Sequence, residues 1–217
     1  MSFTPDVIPR DWVGEVAYVV GGGTSVQLAD VQSLQERGKN VIAVNSSYRI
    51  ALFADILYFA DERWWTREIT LEDHKLREFL GQVWTVSRIS KDIQDVKLKR
   101  LRRVKPEVQG LALSPDTVTM EWTSVQSAIN IAMHKGADRV VVLGLDNQPS
   151  PSDPQRFHHH AEYPWPHRLS TWQYKYDNLA HAVPVLEQQG VKVFNASPIS
   201  TIDFWPVVTV AETLDWE

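Results

Sequence analysis

Short apolar runs alternate with amphipathic stretches along most of the chain. The runs are VAYVV at 16–20, NVIAV at 40–44, ILYFA at 56–60, QVWTVS at 82–87, RVVVLGLD at 139–146 and VKVFNA at 191–196. Continuous apolar runs of this length are typical of strands that are buried on both faces of a parallel sheet. The alternation predicts an α/β fold: a single Rossmann-like domain over residues 1–217, with a mostly parallel sheet and helices on both faces.

Between these runs, apolar residues recur at helical spacing. The spacing predicts helices over residues 26–38, 61–80, 124–134 and 170–189, with the last one kinked or divided at Pro184. Gly81, Gly136 and Gly190 stand where three of these helices are expected to end. Prolines at 149, 151, 154, 164 and 166 interrupt every regular pattern, so residues 147–167 are expected to form a long loop.

Composition narrows the class of protein. The absence of cysteine from all 217 residues excludes disulfides, thiolate metal sites and cysteine nucleophiles. A net charge of −5 argues against a global attraction to nucleic acid. No signal-peptide pattern opens the chain and no run has the length of a membrane span, so a cytoplasmic protein without a membrane partner is expected.

The turn after the first apolar run is a candidate phosphate site. It consists of Gly21, Gly22, Gly23, Thr24 and Ser25. Glycines let an anion approach the backbone closely, and ligands of open parallel sheets bind beyond the carboxyl ends of the strands. The run lacks both the dinucleotide fingerprint and the P-loop pattern. Nucleotide binding of another kind is therefore predicted, and a turn that only requires positive φ is the alternative.

Polar and aromatic residues follow the later runs. The candidates for nucleotide contacts are Asn45, Ser46 and Asp146, and those for substrate contacts are Asp61, Trp64, Trp65 and Trp165. An asparagine amide can pair with a base or a ribose, and tryptophans can stack on a sugar or a base. A simple turn is the alternative for the asparagine, and a helix cap is the alternative for Asp61.

The segment RFHHHAEYPWPH supplies candidates for proton transfer. These are His160, His158, His167 and Glu162, with His160 as the first choice. Histidine exchanges protons near neutral pH. Side chains of adjacent loop residues tend to point apart, so one or two histidines are expected to act, and substitution of His159 is expected to have a mild effect on turnover. A solvated loop that happens to be rich in histidine is the alternative.

A basic run, KLKRLRRVK at 97–105, contains six cations. Such a run is most often a solvated face, and this is the favoured interpretation. Contact with the phosphate backbone of a nucleic acid, or with a polyanionic acceptor, is the alternative.

Five segments in the same order resemble the bacterial sialyltransferases and their relatives, which include phage and prophage proteins and archaeal-type hydroxymethylpterin pyrophosphokinase-like proteins. The segments are VVGGGTSV, VIAVNSSYR, WTSVQSAINIAMHKGADRVVVLGLDNQ, the histidine-rich loop and KVFNASPISTIDFWP, and they extend from Tyr18 to Pro206. The resemblance implies nucleotide contacts at Gly21, Gly23, Ser25, Asn45, Thr123 and Ser124. Where the family has tyrosines that hold the donor phosphate, this chain has Gln148 and prolines.

The residues and the resemblance together predict a glycosyltransferase that takes a CMP-, UDP- or GDP-linked sugar and requires no metal. A loop histidine would act as general acid or base on an acceptor hydroxyl, which a glycan or DNA can supply. One alternative is an ATP- and Mg²⁺-dependent pyrophosphokinase-like transferase with Asp61 and Asp146 at the metal. Another is an inactive nucleotide-binding module of phage origin. For a phage gene the location is the host cytoplasm, and a homo-oligomer is compatible with the sequence.

Overall fold

A computed structural model describes residues 4–88, 96–160 and 170–216. The strands in the described residues are Val16–Val20 (β1), Asn40–Val44 (β2), Ile56–Phe59 (β3), Gln82–Thr85 (β4), Leu98–Arg100 (β5), Arg102–Val104 (β6), Thr117–Thr119 (β7), Arg139–Leu143 (β8) and Lys192–Asn195 (β9). The helices are Leu28–Glu36 (α1), Glu62–Glu68 (α2), Ser124–Lys135 (α3), Ser170–Ala180 (α4), Val183–Gln189 (α5) and Val210–Thr213 (α6), and a 3₁₀ helix spans Asn45–Arg49.

Seven strands form one sheet in the order β5-β4-β3-β2-β1-β8-β9, and every neighbouring pair is parallel. The chain adds strands outward from β1 to β5 and then returns to place β8 on the free side of β1. The strand order therefore reverses between β1 and β8, and such a reversal opens a crevice at the carboxyl edge of a parallel sheet. The predicted Rossmann-like α/β fold is confirmed.

Both faces of the sheet are buried, as the continuous apolar runs predict. Ala17 and Val19 of β1 point into the core that α3 covers, whereas Tyr18 and Val20 point into the core that α1 covers. All four side chains are fully buried or nearly so. Because successive strand residues point to opposite faces, only apolar residues at every position satisfy both cores.

The helix expected over residues 61–80 is wrong in its extent. Helix α2 ends at Glu68, and the segment that follows is a series of turns from which Leu76 and Phe79 reach the core. Gly81 does not end a helix. It lies so close to the backbone carbonyl oxygen of Ala54 that a Cβ would clash with it.

The other helix ends agree with the sequence. Gly136 ends α3 in the left-handed conformation, with φ of 97°, and Gly190 ends α5 in the same way with φ of 70°. Pro184 stands in the first turn of α5 and separates it from α4, as predicted. Among the described residues, no helix has both the length and the apolar character needed to cross a membrane.

The basic run forms two short strands joined at Leu101, which is buried. β5 is the edge strand of the large sheet, and β6 pairs with β7 in a separate two-stranded sheet. Two of the cations make ion pairs, Arg102 with Asp116 at 3.2 Å and Lys105 with Glu121 at 3.1 Å. These pairs reduce the charge that the run offers to a polyanion.

Candidate functional site

A cleft of about 460 Å³ opens at the carboxyl edge of the sheet, where the strand order reverses. Residues that follow β1, β2, β3 and β8 line it, among them Gly22, Asn45, Asp61 and Asp146. The start of α3, the histidine loop and one side of α4 complete the walls. The cleft therefore brings together most of the strand-end residues that the sequence indicates.

The glycine turn packs against the end of β8. The amide of Gly21 donates to the carbonyl oxygen of Leu143 at 2.8 Å, and that of Gly23 donates to Gly144 at 2.9 Å. None of the three glycines at 21–23 has a positive φ, so the alternative of a turn that needs positive φ does not apply.

Close packing against the backbone explains why residues 21 and 23 are glycines. A Cβ on Gly21 would lie 2.9 Å from the Gly144 oxygen, and one on Gly23 would lie 2.6 Å from it. The amide groups of Gly21 and Gly23 are already bonded to Leu143 and Gly144, so these two groups are not available to a phosphate. Gly22 and Gly23 still line the cleft.

Asp146 ties the two strand ends together. Asp146 is only 2% exposed. Its carboxylate accepts hydrogen bonds from the Thr24 hydroxyl at 3.2 Å and from the Ser25 amide at 2.9 Å. The Ser25 hydroxyl also donates to it. Thr24 and Ser25 thus bond to Asp146, and neither caps α1, which has Gln27 at its N-cap.

Two asparagines at strand ends share an unusual combination of features. Asn45 and Asn147 have φ of 51° and 53°, which is rare for residues other than glycine, and both line the cleft. The side-chain oxygen of each is buried without a hydrogen-bond partner among the described residues. Asn147 is 9% exposed, and its amide nitrogen donates to Thr201 at 3.0 Å. An unpaired buried acceptor is costly and suits a ligand that donates hydrogen bonds.

Ser46, Trp64 and Trp65 belong to the core, contrary to the prediction. Trp64 is 2% exposed and its indole nitrogen donates to the Ser46 hydroxyl at 2.9 Å. Trp65 is fully buried and stacks on Phe59, with ring centroids 4.6 Å apart. Helix α2 turns both indoles toward the sheet, so neither can stack on a ligand.

Asp61 caps α2, which is the alternative that the sequence leaves open. Its carboxylate accepts from the Arg63 amide at 2.8 Å and pairs with the Arg63 guanidinium at 2.8 Å. Desolvation raises the pKa of Asp61, but the hydrogen bonds and charge of Arg63 outweigh it, and the net pKa is lowered. Asp61 and Arg63 both line the cleft. Asp61 therefore lies there as part of an ion pair and not as a free carboxylate.

The three consecutive histidines divide into two roles. His158 and His160 both line the cleft and stack in parallel, with ring centroids 4.8 Å apart and an angle of 6° between the planes. They lie beside Gly22, since a Cβ there would be 3.1 Å from Nδ1 of His158. The first-choice residue, His160, is thus in the cleft together with a second histidine.

His159 anchors the loop, so its substitution bears on the position of its neighbours as well as on proton transfer. Its amide donates to the Gly22 oxygen at 3.0 Å, and its Nε2 lies 3.0 Å from the Ser47 hydroxyl oxygen. Ser47 donates its own proton to the Gly21 oxygen, which assigns a donating Nε2–H to His159. Burial, with further contributions from His160 and Arg156, lowers the pKa of His159 to about 4.

Glu162, Trp165 and His167 lie outside the described residues. Thr123 and Ser124, by contrast, are at the cleft, where they open α3. The Thr123 hydroxyl oxygen accepts from the amide of Val125 at 3.3 Å, and the first turn of α3 contains no acidic residue. The amino end of α3, which carries the positive end of the helix dipole, thus lines the cleft.

Helix α4 contributes residues that the sequence pattern does not single out. Lys175 lines the cleft with its Nζ 4.4 Å from the centroid of the Trp172 ring, and burial lowers its pKa to about 8. Trp122 also lines the cleft, is 44% exposed and stacks on Tyr174 at 4.9 Å. The spacing of Trp172 and Lys175 places them on one helix face, which is the signal in the sequence that points to this wall.

The arrangement does not favour a magnesium ion. Among the described residues, no three His, Asp or Glu side chains are grouped to hold a metal. Asp61 is paired with Arg63, and Asp146 already accepts from Thr24 and Ser25. Mg²⁺ prefers an octahedral set of oxygen ligands, and these two carboxylates do not present one.

Comparison with known proteins assigns no family to this cleft. No family model matches the chain, and no curated protein is significantly similar to it. A Rossmann-like sheet supports many unrelated activities, so the functional argument rests on the residues of the cleft.

Proposed function

We propose that this protein is a nucleotide-sugar-dependent glycosyltransferase whose cleft binds the donor. The observation that carries the proposal is the pairing of two kinds of group in one cleft. Unpaired buried acceptors lie at Asn45 and Asn147, and a stacked pair of histidines lies at His158 and His160. The first kind suits the hydroxyl and amino groups of a nucleoside or sugar, and the second suits proton transfer.

The reaction requires a base at the acceptor hydroxyl. The acceptor oxygen forms a bond to the anomeric carbon of the donor, and the bond from that carbon to the phosphate oxygen breaks. His160 takes the hydroxyl proton on a ring nitrogen, and the nucleotide leaves with the bonding electrons on its phosphate.

The structure bears on the choice between this reaction and the pyrophosphokinase-like alternative. The alternative needs Asp61 and Asp146 at a metal, and both are bonded elsewhere in the protein. A histidine base requires no such ligands. The transferase that needs no metal is therefore the better match to these residues.

The test is ligand binding followed by turnover. Purified protein is screened for thermal stabilisation by CMP-, UDP- and GDP-sugars, with the free sugars as controls. Stabilising donors are then assayed for hydrolysis and for transfer to a panel of glycans and DNA, with and without EDTA. Stabilisation by one nucleotide class and EDTA-resistant turnover are expected. The absence of stabilisation by any nucleotide sugar contradicts the proposal, and binding without turnover favours the inactive module.

A further inference from the structure

Lys175 lies where α4 crosses the start of α3. The side-chain amide of Gln126, in the first turn of α3, donates to the Asn178 carbonyl oxygen of α4 at 2.8 Å. One residue before α3's cap, Trp122 stacks on Tyr174. Lys175 follows Tyr174 directly and lines the same cleft as Thr123 and Ser124. The ammonium group and the first turn of α3 therefore border one part of the cleft.

Each carboxylate of the cleft has a partner other than Lys175, although Oε2 of Glu121 is itself buried without a hydrogen-bond partner among the described residues. Asp61 pairs with Arg63, Glu121 pairs with Lys105, and Asp146 accepts from Thr24 and Ser25. Within the part of the chain that the structure describes, no carboxylate is within ion-pair distance of Lys175. The Trp172 ring, 4.4 Å from Nζ, compensates in part for the hydration that the Lys175 ammonium loses, but it supplies no counter-charge, and an anionic ligand would supply one.

A second observation points independently to a ligand in this cleft. Asn147 is nine-tenths buried, lines the cleft, and leaves its side-chain oxygen without a partner among the described residues. Asn45 repeats the pattern at the end of β2. The cleft is thus lined by the ammonium of Lys175, by the amino end of α3 and by two asparagines with unpaired side-chain oxygens. A ligand that joins a phosphate to groups with hydroxyl or amino donors satisfies all of these groups.

We propose that Lys175 and the first turn of α3 form the phosphate subsite of this cleft, and that they hold the phosphate from which the sugar is transferred. The identity of the leaving group rests on the proposed function, whereas the subsite requires only a phosphate ligand. The lysine supplies the charge and the helix supplies backbone N–H donors, so the phosphate gains charge-assisted hydrogen bonds as negative charge develops on it.

The experiment compares ligands with and without phosphate on the full chain. Calorimetric titrations use cytidine, uridine and guanosine, their mono- and diphosphates, and pyrophosphate alone. The variants are Lys175→Gln and Lys175→Arg, with Lys192→Gln as the control, since Lys192 begins β9 at the edge of the sheet opposite the cleft and is exposed. Thermal melting of each variant establishes that it is folded.

We expect Lys175→Gln to weaken nucleotide binding by about 10- to 100-fold, the usual effect of a hydrogen bond to a charged group. Nucleoside binding should not change, and Lys175→Arg should keep most of the affinity. Equal nucleotide affinity in the protein and in folded Lys175→Gln overturns the subsite while leaving the proposed function intact. If Lys175→Gln does not fold, the Lys175→Arg variant provides the test. Its nucleotide affinity should become independent of pH between 7 and about 9.5. A pH profile identical to that of the unaltered protein overturns the subsite.

The two proposals fail separately. Pyrophosphate binding that depends on Lys175, without any nucleotide binding, supports the subsite and contradicts the glycosyltransferase. The pH profile of the unaltered protein is a further readout, because loss of the Lys175 proton should weaken phosphate binding above pH 8. Among the described residues, the other titratable or charged groups that line the cleft are His158, His160, Asp61, Arg63, Glu121 and Asp146. Phosphate affinity that stays constant from pH 7 to 9.5 in the unaltered protein contradicts the role of Lys175.

Discussion

Nε2 of His159 lies 3.0 Å from the hydroxyl oxygen of Ser47, which itself donates to the carbonyl oxygen of Gly21. This chain of two hydrogen bonds attaches the histidine loop to the end of β1. It fixes the backbone on either side of His159 and so holds His158 and His160 at the cleft. His159, which the sequence places outside the proton-transfer step, is thus the residue that positions its neighbours.

His159→Ala should therefore destabilise the fold by about 1 to 3 kcal/mol, because it removes a buried hydrogen bond and leaves the Ser47 oxygen unpaired. The measurement is urea-induced unfolding. His159→Gln, which keeps an N–H donor, should recover part of the loss, and His158→Ala should change stability little. Equal midpoints for His159→Ala and His158→Ala would mean that the anchor contributes nothing.

Stability should also fall in mild acid. His159 has a pKa of about 4 in the folded protein and about 6.5 when unfolded. Between these values the unfolded chain binds the proton and the folded chain does not, so stability is complete above pH 6.5 and declines as the pH approaches 4. The decline attributable to His159 should be about 1 to 3 kcal/mol. It should be absent from His159→Gln, and an identical decline in that variant would contradict the assignment.

The glycines of the turn should respond differently to substitution. A Cβ on Gly22 would meet only the imidazoles of His158 and His160, at 3.1 and 3.6 Å, whereas one on Gly23 would meet the Gly144 backbone at 2.6 Å. Gly22→Val should therefore fold and weaken nucleotide binding, and Gly23→Ala should lower the melting temperature markedly. The reason for the first effect is that the valine side chain occupies space that the ligand needs, and not a positive φ. A Gly22→Val protein that melts early and binds normally would contradict this.

His160→Ala should lower turnover by about 10²- to 10⁴-fold, the usual range for a positioned acid or base. Nucleotide affinity should change little, because the proposed binding groups lie elsewhere in the cleft. Turnover of His158→Ala and His160→Ala, each measured with and without EDTA, separates proton transfer from metal binding. Full activity in His160→Ala would transfer the role to His158 or His167.

The sheet could be predicted because most of its interior strands are short runs that are almost entirely apolar. A strand needs such a run only when both of its faces are buried, as they are in a parallel sheet covered by helices. The extent of α2 could not be predicted, since Leu76 and Phe79 keep a spacing that suits a helix but reach the core from turns. β6 and β7 could not be predicted either. They are three residues each, and β6 lies within a run whose charges dominate the local pattern.

The candidate site could be predicted only where residues lie at the ends of strands. Gly22, Asn45 and Asp146 follow strands, and a parallel sheet collects its strand ends at one edge. Lys175 reaches the cleft because α4 packs on α3, a contact that local sequence does not encode. Trp64 and Trp65 were predicted to contact a substrate and instead lie in the core. Their place after a strand does not determine whether the indoles point toward the core or toward the cleft.

The hydrogen bond from the Ser25 amide to the Asp146 carboxylate joins residues that are 121 positions apart in the chain. The two loops that it joins meet only after β1 has paired with β8. This pairing is central to the sheet and joins strands that are far apart in the sequence. Loop-closure entropy makes such pairings late and slow. The binding cleft therefore does not exist in a partly assembled chain, and a ligand that binds it should slow unfolding without accelerating folding.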